Sequence, residues 1–170
     1  MQKIVLVLFL IICLGSQLFA INFAGNSGFA IPLGSWSDEH GSGQFFSVNT
    51  DILSKDYLAI FVSFNVSTFA GKANSNYHFQ SFSPGSGLKF YPLFFIDNSN
   101  LFAKASVSYN FIERSLHNAK ETGNDLAVLS LIGAELKTGN NWIIYLSLGE
   151  KHFLGGIDMF VIGVGLGYKK

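Results

Sequence analysis

The sequence predicts an all-β chain, an eight-stranded antiparallel up-and-down transmembrane β-barrel. Three observations carry that prediction. Beyond residue 21, bulky apolar residues recur with a period of two, and no helical window of comparable strength interrupts them. Many of the residues between them are glycine, serine or asparagine, which leaves one face of each strand nearly bare. The connections alternate in length, as in a meander whose long loops all gather at one end.

The first segment stands apart. Residues 1–20, MQKIVLVLFLIICLGSQLFA, have a basic Lys3, an apolar run over residues 4–14 and small residues leading to Ala20, and so predict a cleaved secretory signal peptide. The run is shorter than the roughly 20 apolar residues a membrane-spanning helix requires. Cys13 is the one cysteine, and Ile12 before it is too large for lipoprotein processing. The mature domain, residues 21–170, therefore has no thiol, and a disulfide-stapled secreted scaffold is excluded. Charged residues make up 13% of the chain with a formal net charge of +0, which gives no electrostatic case for nucleic acid.

The strands follow in order. Residues 23–33 set Phe29, Ile31 and Leu33 against Asn26, Gly28 and Ala30. Residues 44–53 set Phe46, Val48 and Ile52 against Ser47, Asn49 and Asp51. Residues 57–69, YLAIFVSFNVSTF, are the clearest case, with Leu58, Ile60, Val62, Phe64 and Val66 on one face and Ala59, Phe61, Ser63, Asn65 and Ser67 on the other. Residues 85–94 set Leu88 and Phe90 against Gly87, Lys89 and Tyr91, and Pro92, lacking an N–H, marks that strand's end or a bulge. In residues 101–111, Leu101, Ala103, Ala105, Val107, Tyr109 and Phe111 oppose Phe102, Lys104, Ser106, Ser108 and Asn110. Residues 125–137 are almost continuously apolar; Gly133 and Glu135 are assigned to the polar face, with a bulge the consequence of a wrong phase. Residues 142–149 set Trp142, Ile144, Leu146 and Leu148 against Ile143, Tyr145, Ser147 and Gly149. The last strand, from Phe160, alternates apolar residues with Gly163, Gly165 and Gly167.

Long connections are expected over residues 34–43, 70–84, 113–124 and 150–157, and short ones over 54–56, 96–100 and 138–141, the last with the turn-forming Gly139-Asn140. Strands of about ten residues suffice to cross an outer membrane at a tilt.

A lipocalin-like carrier would have the same strand count with its apolar side chains inside. Volume separates the two. An eight-stranded barrel is just wide enough for side chains to fill it, so the small and polar set points in and the bulky set points out, where only lipid accepts so wide an apolar belt. In hydrocarbon an unpaired backbone group costs several kcal/mol, so the last strand must pair with the first. Trp142 and Tyr168 toward the turns, and Phe46, Tyr109, Phe111 and Phe160 toward the loops, sit where interfacial aromatic girdles are expected.

The ending FVIGVGLGYKK resembles the C-terminal insertion signal of outer-membrane barrels, with Gly163, Leu166 and Tyr168 in its glycine, hydrophobic and terminal-aromatic places. With GFAIPLG at residues 28–34, GLKFYP at 87–92 and LFAKASVSY at 101–109, the mature chain resembles the small eight-stranded outer-membrane barrels of the OmpA, OmpX and OmpW-like families. The resemblance implies a monomer in the bacterial outer membrane, in contact with its lipid and inserted by the barrel-assembly machinery through the C-terminal strand. It implies no enzymatic activity and no cofactor, and these motifs carry architecture rather than chemistry.

Candidate functional residues are few. Asp51, Lys89, Lys104 and Glu135 are the inward charges, and Lys104 and Glu135 are predicted to fall near one another across the fifth and sixth strands. They form either a structural network or a gate whose salt bridge changes partners. The loop over residues 70–84 is the candidate for external contact, through Tyr77, His78 and Phe79. His40, His78, His117 and His152 fall one in each long connection but lack metal-ligand spacing, and no nucleophile triad accompanies them. The glycines of 163–167 precede no helix, so they are packing rather than a nucleotide loop, and Asn65-Val66-Ser67 lies mid-strand, which disqualifies it as a glycosylation site. The sequence thus predicts a structural or surface-contact protein of the bacterial envelope. A narrow passage for ions or small hydrophobic solutes is the alternative, and a lipid-modifying enzyme a third class.

Overall fold

Phe23, next to the start of the described chain, lies opposite Tyr168 near its end, and from there the first and last strands pair through to Leu33 and Asp158. This is the closure that hydrocarbon demands of a sheet. The computed structural model describes residues 22–72, 77–92, 95–96, 99–116, 119–139 and 141–169; the predicted signal peptide and His117 lie outside them. The strands are β1 (Phe23–Leu33), β2 (Gly43–Ser54), β3 (Leu58–Ala70), β4 (Tyr77–Phe90), a two-residue β5 (Phe95–Ile96), β6 (Ser99–Leu116), β7 (Ala119–Lys137), β8 (Trp142–Phe153) and β9 (Asp158–Tyr168). Every pairing is antiparallel, in the order β4-β3-β2-β1-β9-β8-β7-β6, and β4 pairs with β6 to complete the ring. The result is a closed barrel of eight long strands in up-and-down order, as the sequence predicts.

The period-two faces sort as expected. Ile132, Leu166, Val164, Leu146, Val107, Leu88 and Phe29 look outward, while Asp51, Ser67, Lys89, Ser106, Asn110 and Glu135 are buried inside. Trp142 and Tyr168 stack edge to face at 5.6 Å on the turn side. Phe64, Phe82 and Phe111 form a chain of rings toward the loop side, with centroid separations of 4.1 and 6.3 Å. About ten strand residues between such margins, tilted as barrel strands are, span a belt of about 25 Å, the thickness of an outer membrane's apolar layer.

Proline and bulge positions obey the ladder chemistry. Pro92 follows the end of β4, as expected. Pro84 is inside β4, and the β4–β6 ladder is interrupted between Phe82 and Gly85, where its missing N–H would have donated. The phase of β7 is continuous and needs no bulge. The bulge lies instead in β2, where Ile52 is inserted between Asp51 and Leu53; both Ile52 and Leu53 then face outward while Asp51 stays in the lumen.

Three predictions of extent are corrected. Residues 77–84 belong to β4 rather than to a loop, because they continue the β3 ladder through Ala70↔His78. Residues 113–116 and 119–124 extend β6 and β7 as a hairpin, paired up to Leu116↔Ala119. Glu150 to Phe153 complete β8. The connection after β1 holds one helical turn, α1 (Trp36–Glu39). The expected rule that only small side chains fit inward is also too strict: Phe61, Phe69, Phe79, Phe102, Tyr145 and Phe153 are all buried in the barrel.

Candidate functional site

The lumen is built in three tiers. At the turn end, Ala24, Ala59, Tyr91, Phe102, Ile143 and Tyr145 pack into a plug. The alternation that faces Ile143 and Tyr145 inward makes the plug, and glycines on adjacent strands make the space. A Cβ on Gly167 would strike the Tyr145 ring, and one on Gly133 the Phe102 ring. The bare face of the last strand is therefore the complement of a crowded neighbour.

Within this plug sits a charge cluster. Lys89 Nζ is 3.2 Å from Glu135 Oε1 and 3.9 Å from Asp51 Oδ1. Tyr91 donates its hydroxyl to the same Glu135 oxygen at 2.7 Å, and Asn22 Nδ2 donates to Asp51 Oδ2 at 3.2 Å. The ammonium also lies 5.6, 5.5 and 5.2 Å from the ring centroids of Tyr91, Phe102 and Tyr145, an aromatic cage around a cation. Glu135 is 1% exposed, and a carboxylate at that depth is tolerable only with such partners.

The middle tier is polar. Lys104 donates to Asn49 Oδ1 at 2.6 Å and lies 4.1 Å above the Phe61 ring. Lys151 donates to Asn110 Oδ1 at 2.8 Å and to Ser83 Oγ at 3.4 Å. Ser83 also donates to Asn110, beside the ladder gap at Pro84. The loop end is closed by Phe69, Phe79, Phe153, Ile112, Ile157 and Met159, over which Trp36 of α1 stacks at 4.9 Å from Phe69 and 5.1 Å from Phe79.

All four inward charges predicted from sequence are buried in the lumen, but one pairing is corrected. Lys104 does not meet Glu135. Lys89 takes that carboxylate, and the barrel's tilt carries Lys104 to Asn49 on β2 instead. The predicted contact loop is also corrected: Tyr77, His78 and Phe79 are strand residues, and Phe79 is 0% exposed beneath Trp36, which leaves His78 as the one exposed side chain described among the three. Gly163 faces the lumen, where a Cβ would approach Phe45 Cζ to 2.8 Å, while Leu166 and Tyr168 face outward. His40 is buried behind α1 and His152 contacts Asp158, and no group of three His, Cys, Asp or Glu among the described residues could hold a metal. Lys151 lies beyond the strand that the sequence predicts over residues 142–149; extending the parity of Tyr145, Ser147 and Gly149 by one step puts it in the lumen.

No family model and no curated protein matches this sequence. Solved structures do match it in three dimensions. The Neisserial surface protein A aligns over 89% of this chain and 98% of its own, with a TM-score of 0.69 at 12% identity. The two chains share one overall fold. Ail, the attachment invasion locus protein of Yersinia pestis, aligns over 89% of this chain and 100% of its own at a TM-score of 0.60 and 13% identity. The N-terminal β-barrel domain of Pseudomonas aeruginosa OprF aligns over 88% and 98% at 0.57 and 11%. At these identities the likeness concerns the barrel's architecture and not its occupants.

Proposed function

We propose that this protein is a non-enzymatic barrel of the bacterial outer membrane that holds a surface-contact hairpin in place. The observation that carries this is the contrast between the two ends of β6 and β7. Below Phe111 and Leu126 their outward residues are apolar except Ser130 and, at the turn-side margin, Ser99; above, Glu113, Lys120, Thr122 and Asn124 are polar, and the strands stay paired to Leu116↔Ala119. A hairpin that continues past the lipid-facing belt presents polar side chains to water on a rigid base. Its outer edge on β7 has no strand partner among the described residues from Ala119 to Asn124, since β8 pairs with β7 from Ala127 to Lys137. Ail is named an attachment invasion locus protein, and a contact role agrees with that neighbour's name.

The two packed tiers that close the lumen favour contact over conduction. In this proposal the signal peptide of residues 1–20 directs export, the barrel-assembly machinery engages Gly163, Leu166 and Tyr168 on the terminal strand, and the monomer lies with both termini on the periplasmic side.

The test compares the native chain with one in which residues 113–124 are replaced by a tight turn. Loss of cell or matrix adhesion at unchanged barrel content supports the proposal, and unchanged adhesion refutes it. Stable single-channel conductance of the native chain in a planar bilayer would favour a passage instead, and altered lipid A mass a lipid-modifying enzyme.

A further inference from the structure

The middle tier encloses a cavity between the turn-end plug and the loop-end cap. Lys104 and Lys151 both line it, together with serine hydroxyls and apolar side chains of β7 and β9. No carboxylate lines it among the described residues. We propose that this chamber binds a small anion of halide size between Lys104 and Lys151.

The charge balance of the lumen requires something of the kind. The buried lysines Lys89, Lys104 and Lys151 stand against two buried carboxylates, Asp51 and Glu135, both held by Lys89 in the plug below, so the described interior carries one positive charge in excess. Lys104 and Lys151 are each less than a tenth exposed, and the partners that they reach are amide and hydroxyl oxygens, which solvate an ammonium without neutralising it. Two buried cations lining one cavity that has no carboxylate among its described walls are costly without a counterion.

The donors for an anion are in place. Each ammonium carries three N–H groups, and the protein acceptors identified take one from Lys104 and two from Lys151. Ser47 Oγ accepts from Asn49 Nδ2 at 3.4 Å and Ser108 Oγ accepts from Asn110 Nδ2 at 3.2 Å, so both hydroxyl protons can be donated into the cavity. The cavity offers ≈ 40 Å³ to the centres of water-sized occupants. By that measure one water needs about 10–15 Å³, so a halide and one or two waters fit, and a bulky organic anion does not.

The experiment uses the full mature chain, refolded and crystallised in sodium bromide, with data collected at the bromine absorption edge. An anomalous peak in the chamber beside Lys104 and Lys151, lost in Lys151→Met crystals, supports the proposal. A chamber with no such peak, holding water alone, overturns it, as does a peak unchanged in Lys151→Met. A second measurement does not depend on crystals of the variant. The native barrel in detergent should melt several degrees higher in chloride than in gluconate of equal ionic strength, and Lys104→Gln should shrink that gap at least twofold. Equal melting in the two salts overturns the proposal.

Discussion

Lys89 and Lys104 stand directly opposite each other across β4 and β6, yet they hydrogen-bond to different residues. Like charges in that position repel. The barrel separates them by sending one down and the other across: Lys89 turns to Glu135 and Asp51, and Lys104 to Asn49 and the face of Phe61. A cross-strand conflict visible in the register is thus resolved by contacts to other strands, and this arrangement sets the first prediction.

Coupling should follow the contacts and not the sequence-predicted pair. In a double-mutant cycle, Lys89→Met with Glu135→Gln should show an interaction of about 1–3 kcal/mol, whereas Lys104→Met with Glu135→Gln should stay under about 0.5 kcal/mol. Urea unfolding in detergent micelles measures both. A Lys104 coupling as large as that of Lys89 would contradict this pairing. Glu135→Ala alone should cost about 3–5 kcal/mol, because it leaves a buried ammonium with only the more distant Asp51 and leaves the Tyr91 hydroxyl without its acceptor.

Three glycines on or beside the terminal-strand seam should differ in tolerance. A Cβ at Gly28 would run into the backbone of Ile162 and Gly163, which cannot step aside without breaking the closing ladder. One at Gly163 meets the tip of the Phe45 ring, which can shift. Gly25 has nothing within 4 Å. Alanine should therefore cost about 1–3 kcal/mol at Gly28, less at Gly163 and nearly nothing at Gly25. Heat-modifiable migration on detergent gels ranks the three, and the reverse ranking would contradict the closure described.

Orientation can be tested at one position in β7. Ile132 is 59% exposed on the outer face, and arginine there should cost about 2–4 kcal/mol in a bilayer. In a water-soluble barrel the same substitution would be nearly neutral. Folding yields into lipid vesicles for Ile132→Arg against the native chain decide between the two.

The tip of the projecting hairpin should respond to acid. Lys120 donates to Glu113 at 2.8 Å, and this hydrogen bond holds the Glu113 carboxyl below its ordinary pKa. A carboxyl depressed in the folded state stabilises it fully above the unfolded pKa and loses that contribution as pH falls through the folded one. Amide exchange in residues 113–122 should therefore accelerate, relative to the intrinsic rate, once pH drops below the ordinary glutamate range of about 4.3. Lys120→Ala should give that faster exchange already at neutral pH while leaving global unfolding unchanged.

Much of this was readable in the chain itself. Parity assigned Asp51, Lys89, Lys104, Glu135, Tyr91 and Tyr145 to one face, because side-chain direction along a strand alternates whatever surrounds it. Strand ends were less legible. The polar run of residues 113–124 reads as a loop, since a paired hairpin standing in water needs no apolar face, and Tyr77 to Phe79 read as a tip because the ladder to β3 leaves no local mark.

The amino-acid order on its own determined the strand count, the closed barrel and which side chains face outward, for these depend on a period of two and on the cost of open edges. Only the tertiary structure decided who meets whom inside. Glu135 and Lys89 lie 46 residues apart on strands that are not neighbours, and their meeting depends on tilt and stagger, which no local pattern encodes. The same geometry left Lys104 and Lys151 beside a shared cavity with no carboxylate in its walls.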